Sequence, residues 1–284
     1  MHHVFRLSRA LLPALLIFGC SPFLLKKNVT DKPKQPTITL TPPSDNYFSV
    51  DQEIEMGKEE LAKSLEDKET IFIKNPHIDQ YLQKLTANLV RHLPPDAANI
   101  PVRVFVIKSI NFPPGATSIY GGYIFLQLES VASARSEDEL AMRISHEIGH
   151  VELRHATLWE TQRRFFEEYI HSQNYDNSQI YIYIFNLRIQ YEDEADIFAI
   201  HLALTNGYDP SDYMLYLVEK YDFPPILAYF NQHRPGGQRK ILMEQEAQKI
   251  MKGNTIHTTK KSRNTGHTQF ETIRNIAINL FKKH

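Results

Sequence analysis

The chain has 284 residues, is 42% hydrophobic and 23% charged, and carries a formal net charge of -1. This is ordinary globular composition, enough for one substantial domain with appendages. The near-zero balance gives no support for nucleic acid or a strongly acidic partner, and a single cysteine excludes a disulfide within the chain.

The N-terminus, "MHHVFRLSRALLPALLIFGC", sets Arg6 and Arg9 before an apolar run from Ala10 to Phe18, then Gly19 and Cys20. The run is shorter than the roughly 20 apolar residues a spanning helix needs and fits a secretory signal. Gly19 before Cys20, with Ile17 at the third place upstream, resembles a bacterial lipoprotein signal. The expectation is a signal peptide over 1–19 and a membrane anchor through lipidated Cys20. By the same resemblance, Ser21 implies delivery to the outer membrane of a periplasmic protein. The alternatives are an ordinary signal cut elsewhere and an uncleaved anchor. Residues 20–46 are rich in Pro, Lys and Thr and read as a tether.

A domain over 47–252 follows. "SVDQEIEMGKEELAKSLE" has Ile54, Met56, Leu61 and Leu65 roughly on one face, with Asp51 as the expected N-cap. A second helix runs through "PHIDQYLQKLTANLVRHL" and stops before Pro94 and Pro95. Val102–Ile107 and Tyr123–Leu128 alternate with β-branched and aromatic residues, so two strands are predicted, with a short strand-capable segment in "NFPPGATSIYGG" between them. Ser136 and Glu139 form an expected capping box opening the next helix. Helical stretches follow over "LWETQRRFFEEYIH", an ambiguous "NSQIYIYIFNLRIQ" and "YEDEADIFAIHLALT", the last closed by Asn206-Gly207. Asp209-Pro210 starts another helix. Residues 253–284 read as a linker and a basic amphipathic C-terminal helix. The fold class is α+β, mostly helical with a small mixed β-sheet.

The chemistry centres on "HEIGH". Four residues along a helix is 400°, so His146 and His150 point the same way one turn apart and can share one metal. Glu147, beside the first, can take a proton from a water the metal activates. Zinc suits this role because it brings its water's pKa to about 7. Gly149 permits close approach of another backbone. A third ligand is required. His155 lies nine residues after His146, 900° around a continuous helix and so on the opposite face, which makes it structural or supporting. The metzincin pattern is excluded by Leu153 and Ala156. In "YEDEAD", Glu192 and Asp196 share a face while Glu194 is rotated about 200° away. Glu192 is the expected ligand and Asp196 the acceptor for a ligand histidine's outer N–H. The bland alternative, a solvated acidic face, conflicts with the apolar "IFAIHLAL" that comes next.

From about Val50 to Glu246 the chain resembles the zinc endopeptidases that include the CAAX prenyl endopeptidases, HtpX and BepA-like periplasmic proteases. The carrying segments are "DELAMRISHEIGHVELRH", "EDEADIFAIHLALTNGYDP", "YGGYIFLQLES" and "SVDQEIEMGKEE". The resemblance implies a zincin-like metallopeptidase domain with one zinc per chain on His146, His150 and Glu192. It also likens "HRPGGQR" to an active-site loop, with His233 and Arg239 near the reacting centre. Arg234 departs from that family's H-P pattern, and "GATSIY" differs from its usual edge segment. The activity implied by the resemblance is hydrolysis of misfolded or stalled envelope proteins, with Glu147, His233 and Arg239 catalytic. His233 or Arg239 would stabilise the oxyanion, or His233 would instead occupy the open metal position. Substrate would add as an extended strand near Ser118–Leu126, and outer-membrane assembly machinery is an implied partner. The rival is a zinc-binding periplasmic chaperone lipoprotein with little turnover.

Overall fold

The computed structural model describes residues 45–94, 97–172, 177–224, 233–253 and 264–283. The signal segment, Cys20 and all but the last two residues of the tether lie outside them. Asn46 is already engaged with the domain, donating to the Thr157 hydroxyl at 2.8 Å.

The first helix, α1 (Val50–Glu66), is capped by Ser49 rather than Asp51. The Ser49 hydroxyl accepts from the Gln52 N–H, and the Gln52 side-chain carbonyl oxygen accepts from the Ser49 N–H, which completes a capping box. A short strand β1 (Thr70–Phe72) leads to α2 (Pro76–Val90), capped by Asn75. Three strands follow: β2 (Arg103–Ser109), β3 (Ala116–Ser118) and β4 (Tyr123–Gln127). The sheet order is β1-β2-β4-β3, with β2 and β4 parallel and the outer pairs antiparallel.

Thus "YIFLQ" is an interior strand, buried at every position, and among the described residues the free edge on its side of the sheet is β3. Antiparallel pairing turns alternate main-chain groups to opposite sides. Because Gly115 O accepts from Gln127 N and Ile119 N donates to Tyr123 O, the outward-facing groups of β3 belong to Ala116 and Ser118. The turn over Tyr120–Gly122 is fixed from outside by α1, which approaches so closely that a Cβ on Gly57 would fall 2.2 Å from Tyr120 O.

After a short α3 (Leu128–Ser133) comes α4 (Glu137–Glu152), the helix with "HEIGH". Its expected capping box is half formed. Ser136 accepts from the Glu139 N–H, but the Glu139 carboxylate accepts from Arg135 N and pairs with Arg143. α4 ends at Glu152 with Leu153 as its C-cap, and Arg154 takes a left-handed φ of 57°, so α5 (His155–Ser172) starts in a new direction. That turn is fastened by the Arg154 guanidinium, which donates to Glu53 at 2.9 Å and to Phe48 O at 2.6 Å.

α6 (Asn177–Thr205) absorbs the ambiguous "IYIYIF" into one long helix, because extending a helix is easier than breaking and renucleating it. It ends in a Schellman motif: Tyr208 N donates to Ala203 O, Gly207 N to Leu204 O, and Gly207 has φ 78°. Then come α7 (Ser211–Tyr221), α8 (Gly236–Gly253) and α9 (Asn264–Lys283).

α4 divides the core. Its Leu140, Ile144 and Ile148 join α2 and β4, while Met142 joins Ile200, Tyr213, Leu217 and Met243 from α6, α7 and α8. Phe270, Ile273 and Ala277 of α9 are buried in the first of these cores, so the C-terminal helix packs as part of the domain. No helix among the described residues is long and apolar enough to cross a membrane.

Candidate metal centre

α4 and α6 meet at Gly149, where a Cβ would lie 3.1 Å from Ala195 O and 3.2 Å from Ala195 Cα. This close approach brings the His146/His150 face onto the Glu192/Asp196 face. His146 Nε2 lies 3.2 Å from His150 Nε2 and 3.2 Å from Glu192 Oε2, and His150 Nε2 lies 3.5 Å from Glu192 Oε1. Ligand atoms at 2.0–2.1 Å around a tetrahedral zinc stand roughly 3.3 Å from one another, so the cluster has the dimensions such an ion needs. The ligand atoms of His146, His150 and Glu192 all fall within 4.8 Å of one another.

Two orphaned atoms point the same way. Glu192 Oε2 and His233 Nδ1 are buried and 2.9 Å apart, yet neither has a well-aligned hydrogen bond. A cation between the donors would satisfy atoms that are otherwise costly to bury. The donor set of two imidazoles and one carboxylate is that of a hydrolytic zinc site.

The electrostatics agree. Burial works to raise the Glu192 carboxyl, but His233, His150 and His146 hold it well below the usual carboxylate range. Burial likewise opposes a charge on Asp196, but Arg239 holds its carboxyl down to about 2. Both stay anionic. Burial works to lower His146, and the Asp196 and Glu192 carboxylates overcome it and push the imidazole up to about 10. An ion entering the cluster must therefore displace a proton.

Each expected residue has a definite place. His146 Nδ1 is 3.0 Å from Asp196 Oδ1, close but off the ideal hydrogen-bond direction. Glu147 follows His146 on α4 and is 7% exposed. His233 reaches Glu192 from the segment before α8. Arg239 is only 3% exposed, and Nε and Nη2 both donate to Asp196 at 2.7 Å. Its guanidinium is thus committed to Asp196, and supports His146 through it. Cys20 lies outside the described residues.

Three features escaped the sequence. Arg234 donates from Nε to both oxygens of Asp193, tying the His233 segment to α6 beside Glu192. Tyr221 at the end of α7 has its ring 6.1 Å from His233, and its hydroxyl approaches Gly115 at the start of β3. Glu194, on the turn facing away from Glu192, reaches the centre indirectly. Its Oε2 lies 3.1 Å from His155 Nε2, and His155 Nδ1 lies 2.9 Å from His150 Nδ1. His155 comes near because the chain turns at Arg154, so the 900° offset along a continuous helix does not apply. Its ring stacks on Tyr191 at 4.4 Å, and burial, followed by the partly offsetting Glu194 carboxylate, leaves it lowered to about 4 and neutral. No local pattern in the sequence marks the left-handed turn at Arg154, so the sequence held no signal for this approach.

Comparison with known proteins places this centre in a family. Residues 76–239, more than half of the chain, match the model of Peptidase family M48. A "Putative beta-barrel assembly-enhancing protease" of Vibrio cholerae serotype O1 is 28% identical over 158 residues, 55% of this chain and 30% of that protein. The "Beta-barrel assembly-enhancing protease" of Escherichia coli strain K12 is 31% identical over 118 residues, 41% of this chain and 23% of that protein. The chain thus spans less than a third of the length of each of these relatives. The family match contains every residue of the cluster. The chain belongs to peptidase family M48.

Proposed function

We propose that the chain is a zinc-dependent endopeptidase, with zinc held by His146, His150 and Glu192. The observation that carries this reading is the cluster itself: the two Nε2 atoms stand 3.2 Å apart and each lies 3.2–3.5 Å from an oxygen of Glu192, with Glu147 following His146 on the same helix. Bound zinc would supply Lewis acidity, polarising a peptide carbonyl and easing deprotonation of water. Glu147 is the general base: it takes the proton of the attacking water and delivers it to the departing amine.

Asp196, backed by Arg239, keeps the His146 ring oriented with its Nε2 toward the cluster. His233 fits either of two roles, donating to the developing oxyanion or covering Glu192 until substrate arrives. A His233→Ala variant separates them, because turnover falls in the first case and rises in the second.

Substrate enters as an extended strand against β3, pairing with the main chain of Ala116 and Ser118, which gives loose sequence selectivity. With relatives named for β-barrel assembly, the proposed substrates are unfolded or stalled envelope proteins. The proposed location is the periplasm, at the outer membrane through lipidated Cys20. Cleavage of an unfolded protein such as casein, compared with Glu147→Gln and with chelator, tests the activity. Equal cleavage by wild type and Glu147→Gln removes the protease reading and favours a chaperone. Zinc retained in full by Glu192→Ala overturns the ligand set, and palmitate uptake unaffected by Cys20→Ser overturns the anchor.

A further inference from the structure

Resting on that zinc reading, we infer that Glu194 and His155 are positioning residues that select the metal-binding tautomer of His150. With a cation at the cluster, their separations allow a single consistent path of hydrogen bonds. His150 Nε2 points into the ligand cluster, 3.2 Å from His146 Nε2. To bind a cation there it must present a lone pair, so its proton sits on Nδ1. His150 Nδ1 lies 2.9 Å from His155 Nδ1. His155 must then accept at Nδ1 and carry its own proton on Nε2, where the Glu194 carboxylate waits at 3.1 Å to receive it.

The reverse assignment fails at both ends. Were a neutral His155 to donate from Nδ1, its bare Nε2 would face an anionic carboxylate, two acceptors with no proton between them. His150 would then carry its proton on Nε2, pointed into the place of the metal. The negative charge of Glu194 therefore decides, two bonds away, which nitrogen of His150 is free.

Packing holds the intermediary in place. His155 is 4% exposed, and its ring stacks on Tyr191 with an interplanar angle of 15°. Tyr191 is itself anchored by a hydrogen bond from its hydroxyl to Gln162. Glu194 is steadied by Gln190, whose side-chain amide donates to Oε1 at 2.7 Å. Both polar edges of the His155 ring are occupied by these partners, so it is not a direct ligand.

The test is zinc affinity of the full chain, read by competition with a chromophoric chelator, together with the nitrogen shifts of His150 in the metal-free protein. His155→Phe keeps the stacked ring on Tyr191 and removes both polar edges; it is expected to weaken zinc binding roughly 10- to 100-fold and to raise the Nε2-protonated fraction of His150. His155→Gln, which can both accept and donate, is expected to recover much of that affinity, and Glu194→Gln to lose part of it.

Zinc affinity and His150 tautomer unchanged in both His155→Phe and His155→Gln would overturn the inference, leaving His155 as packing alone. A wild type that takes up no zinc overturns the zinc reading and this inference with it. A wild type that binds zinc no better than His155→Phe overturns only this one.

Discussion

The two histidines one turn apart on α4 are backed by different chemistry. Behind His146 stands Asp196, fully buried and clamped by two hydrogen bonds from the equally buried Arg239. Behind His150 stands a second, neutral histidine and then Glu194, whose side chain is 41% exposed. The first support is a sealed ion pair that fixes one ring by charge. The second is an uncharged relay with its terminal carboxylate at the surface. One arm is tied to the integrity of the core, whereas the other can be altered with the fold intact.

The largest expected effect is on the sealed arm. Arg239→Met takes both guanidinium hydrogen bonds from the buried Asp196 carboxylate, which costs about 3–5 kcal/mol. Urea denaturation of the metal-free protein measures it, and a loss below about 1 kcal/mol would mean that Asp196 is not sealed.

Next in size is a pH effect of the relay. The folded pKa of His155 is lowered to about 4 from an ordinary 6.5, so between those values the unfolded chain binds the additional proton. Stability of the metal-free protein therefore falls as pH drops from 6.5 toward 4, by an amount on the order of 3 kcal/mol. His146, raised to about 10, works with the opposite sign: its contribution is full below pH 6.5 and is lost as pH rises toward 10. Thermal melts across pH should peak between the two limbs. His155→Phe should flatten the acid limb alone, and an unflattened limb would assign it to other groups.

The frame shared by both arms responds less. At Gly149 a new methyl meets the Ala195 main chain at 3.1–3.2 Å, backbone that cannot swing aside. The overpacking cost exceeds the gain in helix propensity, so Gly149→Ala should destabilise by about 1 kcal/mol net. A stabilised variant would show that α4 and α6 can part.

Smallest is Glu194→Gln, below about 1 kcal/mol in stability because the carboxylate is partly exposed. A loss several times larger would make Glu194 a structural residue.

The cluster of His146, His150 and Glu192 was legible because it is written in helical spacing. "HEIGH" and "EDEAD" each put two side chains on one face, and Gly149 announced where the two faces meet. The mostly helical α+β class, the central strands and the Gly207 cap came from equally local patterns. Elsewhere, the deciding contact lay beyond any local pattern. Ser49 rather than Asp51 caps α1 because Gln52 answers it. The free sheet edge fell to Ala116–Ser118 because β4 pairs on both sides, which strand composition does not reveal. Helical geometry misplaces His155 because the chain turns at Arg154, where Glu53 and Phe48 hold the guanidinium from far along the chain. Glu194 looks idle on its own helix and acquires a role only through that turn. Arg234, a departure from the family pattern, has its partner in Asp193.

Whether His146, His150 and Glu192 hold a zinc with which Glu147 hydrolyses peptides is decided by measuring zinc content and casein cleavage together. The proteins are wild type, wild type stripped by chelator and then given zinc, and Glu147→Gln. The expected result is one zinc per chain in wild type and in Glu147→Gln, with cleavage in wild type alone, lost on stripping and restored with the metal. Cleavage that survives in Glu147→Gln, or that persists after the zinc is removed, would refute it.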